Sequence, residues 1–393
     1  MLDDLDIKQV RGRMLFDSGG NPAVEAEVIL ENGAQGRALI SVDEKDGENE
    51  ACLVREWLSE AILFEDASDQ ANIDQLLLEA NKTRKAFDRE DGKAGVLALS
   101  MAVARAAGAG IGLPLYRYLG GTSSPVMPLP VMSVIDGSDC IKGIDFKEIM
   151  IIPRTQSSFA EGLRMGTEIY QSLKRLLYLS GYETTIGKSG GFVADVKNTE
   201  EALHYIMDAV RLAGYDKKSE VSAVISVDPD HLYAKEEGVY RFQKESKKNG
   251  ILIHRNKKDM INYYLRLADG FPLGMLFDGL WEEDLEGRGR MLEMLKHRML
   301  IVSDDFCMSN GIEIKLKRAG TVTGAIQMVE EAKKQGLKVI FSTDDRETEE
   351  AFLADLSVAL GADYINGGAP CRGEYTAKYN ELLRIEEFYL KHH

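Results

Sequence analysis

Positive charge is what this 393-residue sequence lacks most: 48 lysines and arginines face 64 aspartates and glutamates, for a net charge of -16. An exterior of that sign repels polyanions, so a nucleic-acid partner and an anionic-membrane partner are both excluded. Cysteine is scarce as well. Cys52, Cys140, Cys307 and Cys371 lie far apart and form no CxxC pair, which excludes a zinc knuckle or a disulfide framework and fits a reducing compartment. Only nine prolines occur, and the chain is 44% hydrophobic and 28% charged, the composition of a folded soluble protein rather than a disordered one. Met1 is followed by acidic residues, not by a basic and then apolar leader, so no secretory signal is read. The most apolar run, Gly95 to Tyr116, is rich in Ala and Gly and contains Arg105. It reads as a buried helix, not a membrane span. The expectation is an acidic cytoplasmic protein.

What is present has a clear order. Residues 7 to 40 alternate apolar and polar in the manner of two or three strands, with Val24, Ala26, Val28 and Leu30 on one face. The run DSGGNP, Asp17 to Pro22, supplies the residue types of a turn between two of them. Val42 to Glu50 reads as a solvated charged loop. Helices are predicted from about Glu50 to Leu63, Ile73 to Lys82 and Lys93 to Gly108. A Gly-Gly-Thr-Ser-Ser-Pro run at Gly120 to Pro125 marks a boundary, and beyond it strands alternate with amphipathic helices at Ser158 to Leu179, Glu200 to Ala213 and Thr323 to Gln335. Parallel strands with crossover helices are implied. The stretch INGGAPCRGEYTAKYN, Ile365 to Asn380, reads as one βα unit of a closed barrel. Its strand stops at Gly367 and Gly368, and the helix that follows carries Arg372 and Glu374 in its first turn. The length suits two domains, a smaller one and a barrel of about 250 residues.

DSGGNPAVEAEV near the start, ALSMAVARAAGAGIGLPLYRYLGGT at 98 to 122, SFAEGLRMGTEIYQSLK at 158 to 174 and GAPCRGEYTAKYNELLRIEE at 368 to 387 together resemble enolase (phosphopyruvate hydratase) over nearly the whole chain. The resemblance implies an α/β protein: an N-terminal α+β domain, residues 1–125, then an enolase-type (β/α)8-like barrel, residues 126–393, opening with an antiparallel ββαα arrangement. It further implies a homodimer, or pairing with a genuine enolase subunit, and Arg13 is placed where such contacts are expected. The family reaction removes water from 2-phosphoglycerate. A lysine takes the proton alpha to the carboxylate, Mg²⁺ holds the enolate, and a glutamic acid helps hydroxide leave, all of which requires concentrated positive charge.

Set against that pattern, this sequence departs at most functional positions. Of the three carboxylates of the metal site, Ser226 and Phe277 replace two, and only Asp304 remains. Asp228 and Asp278 stand close by as a shifted alternative. Mg²⁺, implied by the family, is therefore expected to bind weakly or not at all. In the acid loop Lys188 and Ser189 fall where the pattern has Asp and Glu, and Lys188 is either an exposed loop residue or part of a new ion pair. The phosphate clamp has Asp344 and Asp345 in place of Arg and Ser, turning attraction into repulsion. Asn366 replaces the second catalytic lysine, the flexible loop becomes Ser41 to Lys45, and the loop histidine becomes Asp139.

Glu148 and Lys315 are retained as catalytic candidates, Arg372 and Lys188 as substrate-binding candidates, and Asp304 as the metal candidate. Only eight residues separate Asp305 from Ile314, fewer than a parallel crossover requires, so one crossover helix is expected to be missing. Asn310-Gly311 is a hairpin signal. Three readings stay open: an antiparallel hairpin that carries Lys315 away from the site, a distorted short crossover, or a misalignment. Three functions also stay open: an enolase homologue without dehydratase activity and with a binding or regulatory role, an active superfamily enzyme with a cationic or neutral substrate, and a phosphopyruvate hydratase.

Overall fold

The computed structural model describes residues 4–42, 47–85, 92–122, 124–138, 142–154, 158–216 and 219–392; Asp43, Glu44, Lys45, Asp139 and Cys140, singled out in the sequence, lie outside them. The first strands form an antiparallel meander: β1 (Ile7–Phe16), β2 (Pro22–Leu30) and β3 (Gln35–Ser41). The DSGGNP turn is fixed by Asp17, whose Oδ1 accepts from the amides of Gly19 (2.9 Å) and Asn21 (2.8 Å). The helix Lys93–Gly110, buried along most of its length, packs on this sheet. Gly36 permits the contact, since a Cβ there would lie 2.0 Å from the carbonyl oxygen of Ala102. The expected helices are found at Gly47–Ile62, which includes one wide turn, at Gln70–Lys85 and at Lys93–Gly110.

This sheet and its helices are tied to the barrel by polar contacts. Arg105 pairs with Glu350, Nη1 to Oε2 at 2.8 Å. The Arg105 charge outweighs burial and holds the Glu350 carboxyl below its ordinary range. Ser41 Oγ donates to Arg346 O (2.7 Å) and Thr348 Oγ1 to Leu39 O (2.9 Å). The amide of Ser18, in the DSGGNP turn, donates to Glu347 O (3.0 Å). The turn is thereby docked against the segment that leaves the barrel mouth.

Eight strands close the barrel: β4 (Leu129–Asp136), β5 (Glu148–Pro153), β6 (Val221–Ser226), β10 (Leu273–Phe277), β11 (Leu300–Ser303), β12 (Gly311–Ile314), β13 (Lys338–Ser342) and β14 (Tyr364–Asn366). β5 runs antiparallel to both β4 and β6, and the remaining neighbours are parallel. The helices Phe159–Leu179 and Thr199–Leu212 follow β5, capped by Ser158 and Asn198. This is the antiparallel ββαα opening. Between β6 and β10 a small sheet, β7 (Tyr233–Ala234), β8 (Val239–Arg241) and β9 (His254–Arg255), is inserted. Val131, Met150, Ile152, Val224, Met275, Phe277, Val302 and Ile340 form one buried cluster inside the barrel, packed as side chains and not as a pore.

The connection from β11 to β12 corrects the hairpin expectation. No helix lies between them, yet they pair in parallel, Val302 beside Gly311 and Ser303 beside Ile312. Asn310 explains how so short a link suffices. Its amide donates to Ile301 O (3.1 Å) and its Oδ1 accepts from Ile301 N (2.7 Å), while its own carbonyl accepts from Lys338 N. Asn310 is thus bonded into the ladder and does not turn the chain back. Lys315 stays at the barrel mouth.

Candidate functional site at the barrel mouth

Side chains in a strand alternate, so the residue two positions beyond each interior apolar residue faces the same way. That rule defines the top layer of the barrel: Ser133, Ser226, Phe277, Asp304, Glu313, Ser342 and Asn366, with Glu148 from the antiparallel strand. Above this layer lies a cavity of about 820 Å³. Glu148, Lys188, Asp304 and Lys315, four of the five residues singled out in the sequence, line it, together with Lys147, Asp278, Asp344 and Asp345. Arg372 does not. It lines an adjoining cleft between the barrel mouth and the DSGGNP turn.

The cations of the mouth are answered by carboxylates. Lys315 Nζ lies 3.3 Å from Glu313 Oε2. Glu313 foremost, then Asp345 and Asp344, outweighs burial and holds the Lys315 amine well above the ordinary lysine range. Lys147 Nζ pairs with Asp345 Oδ1 at 2.9 Å. Burial would lift the Asp345 carboxyl, but Lys147 brings it below its usual value. Asp304 pairs with Arg318. Lys188 is exposed and, among the described residues, its ammonium has no ion-pair partner.

Two carboxyls in the cavity are pushed towards the protonated form. Burial raises Glu148, against the Ser133 hydroxyl, which donates to its Oε2 at 2.6 Å. Burial, with the charges of Glu313 and Asp304, pushes Asp278 up to about 7. Asp278 holds a left-handed backbone, φ +48°, which aspartate tolerates better than most residues.

The loop in the acid position is closed onto the barrel. Ser189 donates from both its amide and its Oγ to Asp136 Oδ2, each at 2.8 Å. Gly190 adopts φ +81°, and a Cβ there would lie 2.7 Å from the Ala369 side chain. Arg372 braces the same loop through Nη1 to Gly187 O (3.1 Å), with its Nε on Glu374 (2.7 Å). Its guanidinium is occupied by the loop it supports.

The donor set does not fit a magnesium ion, which requires six oxygens in near-octahedral order. Phe277 is 2% exposed and packs into the apolar interior, Ser226 offers one hydroxyl, and the single carboxylate, Asp304, is matched by Arg318. Among the described residues no group of three His, Cys, Asp or Glu could hold a metal.

Some participants escaped the sequence. The Lys147–Asp345 pair joins residues 198 positions apart, and nothing local announces it. Glu313 had a signal: it sits two residues before Lys315 in an alternating strand, hence on the same face.

An eight-stranded parallel barrel whose second strand runs backwards, fronted by a three-stranded meander with helices, is a narrow class of protein. The family models agree with that architecture. The enolase C-terminal TIM barrel domain matches residues 124–391, and the enolase N-terminal domain matches residues 53–119. The chain belongs to the enolase family. No helix among the described residues is long and apolar enough to cross a membrane.

Proposed function

We propose that this chain is an enolase-family protein without 2-phosphoglycerate dehydratase activity, acting as a binding or regulatory member of the family. The observation that carries the reading is the ion pair of Lys315 with Glu313, Nζ to Oε2 at 3.3 Å. A base that removes the proton alpha to a carboxylate must be a free amine. Lys315 faces Glu313, Asp344 and Asp345, and all three favour the ammonium. Asn366 replaces the second lysine, whose charge would have opposed that effect. The enolate would also meet a phenyl ring and a hydroxyl where the family places metal-binding carboxylates. A phosphate would approach Asp344 and Asp345 where the family supplies Arg and Ser.

The assembly carried over from the family is a homodimer, or a pairing with a catalytically intact enolase subunit; light scattering on the purified chain and on the mixture tests both. The enzymatic test is the rise in ultraviolet absorbance as phosphoenolpyruvate forms from 2-phosphoglycerate with excess Mg²⁺. The expected result is no turnover above buffer. Turnover abolished by Lys315→Ala would reject the reading.

One observation favours a second reading. Asp278, near neutrality in its titration, and Glu148 flank one cavity, which suits acid–base work on a neutral or cationic substrate, with Lys315 or Lys188 assisting. Substrate conversion that disappears in both Glu148→Gln and Asp278→Asn would support it; conversion unchanged in either would remove it.

A further inference from the structure

The floor of the mouth presents polar atoms to the cavity that make no hydrogen bond with a described residue. Ser226, Asn366 and Glu148 are 9%, 8% and 8% exposed, and all three line the cavity. Ser226 Oγ makes no hydrogen bond with any described residue. Asn366 accepts from Gly368 N through Oδ1 (3.3 Å), which leaves its two Nδ2 hydrogens without an acceptor. Glu148 receives Ser133 on Oε2, and its Oε1 has no such partner. Three largely buried side chains that open such atoms onto one cavity mark a place where a partner can come from outside the protein.

Charge selects what that partner is. Lys315 is matched by Glu313, Lys147 by Asp345 and Arg318 by Asp304. Among the described residues, Asp278 has no ion pair or side-chain hydrogen bond. Carboxylates outnumber fixed cations along the cavity wall, and the cation without a partner, Lys188, is at the exposed rim. An anion beside Glu148 and Asp278 would oppose the ionisation of both carboxyls and find no countercharge, whereas a cation favours their ionised forms. A cation would be attracted there, and an oxygen on the same molecule would receive the Asn366 amide hydrogens.

We propose that the barrel mouth binds a small protonated amine that also carries a hydroxyl or carbonyl oxygen, with Glu148 and Asp278 facing the ammonium and Asn366 donating to the oxygen. This rests on the reading that the chain does not dehydrate 2-phosphoglycerate. It reverses the charge of the ligand that the family's mouth receives.

The test uses the full-length chain at neutral pH and low salt, with ethanolamine and glycinamide as amine probes, glycerol as a neutral control, and 2-phosphoglycerate with Mg²⁺ as the anionic one. Thermal unfolding and titration calorimetry are the readouts. The expected result is a saturable rise in Tm with the amines and none with glycerol or the phosphorylated acid. Glu148→Gln should weaken amine binding at least tenfold, and Asn366→Leu should weaken it while reducing the preference for amines that carry an oxygen; circular dichroism checks that both variants fold. Tighter binding of the anion, no binding of either amine, or unchanged binding in folded Glu148→Gln would each overturn the proposal. Turnover of 2-phosphoglycerate would overturn the function it rests on, whereas absent turnover together with absent amine binding would overturn only this inference.

Discussion

The same eight strands build two layers of the barrel that differ in kind. In the lower one, Val131, Met150, Val224, Met275, Val302 and Ile340 meet as an apolar cluster. One step towards the mouth, Ser133, Glu148, Ser226, Asp304, Glu313 and Asn366 are polar and gather around a cavity. The lower layer closes the barrel without regard to chemistry, so a family's fold survives there whatever the upper layer does. Phe277 is the mouth position that has gone over to the lower layer: it is 2% exposed and counted with the apolar cluster. Fold and activity are thus separable two residues apart along a strand, which is why family membership is secure while the reaction is not implied.

Variants at the two layers sharpen that contrast. Phe277→Ala should show the largest effect, a loss of about 3–5 kcal/mol in denaturant unfolding, as for any large buried ring removed from a packed interior. A loss below 1 kcal/mol would return Phe277 to the solvent-facing layer. Lys315→Met comes next. It strands Glu313, whose side chain is 8% exposed, and because Lys315 is itself partly solvated the expected cost is ~1–3 kcal/mol. Adding Glu313→Gln should recover most of it, and a double-mutant cycle without coupling would show that the pair does not matter.

Asp278→Asn should have a smaller and pH-dependent effect. A carboxyl raised in the folded state to about 7 binds more protons folded than unfolded from about pH 4 to pH 7, so wild-type stability falls as pH rises through that window. Asparagine has no such penalty and also accepts the left-handed backbone. The variant should match wild type near pH 4 and exceed it by a margin that grows up to pH 8; a gap that does not change with pH would contradict the assignment. Ser226→Ala is expected to be the smallest, within about 0.5 kcal/mol, because Ser226 Oγ gives up no hydrogen bond to a described residue.

Much of the fold was legible because its signals are local. Turn residues in DSGGNP and helical spacing around Ser158 to Leu179 each point to one structure. Asn310-Gly311 misled because its turn propensity is also local, whereas the ladder bonds to Ile301 and Lys338 that overrode it are not. At the mouth, the resemblance to the enolase pattern was enough to gather Glu148, Lys188, Asp304 and Lys315 at one cavity. Partnership was beyond reach. That Asp345 meets Lys147, Asp304 meets Arg318, and Arg372 braces Gly187 depends on which strand ends adjoin in space. The same partnerships decide whether a lysine is a base or a counter-ion.

Proton exchange at C2 of 2-phosphoglycerate tests that last point most directly, because it reports the base alone and does not require the whole dehydration. With Mg²⁺ in heavy water and the purified chain present, the C2 proton resonance should persist at the rate of the protein-free control. Its replacement by deuterium at a faster rate, abolished by Lys315→Ala, would contradict the account.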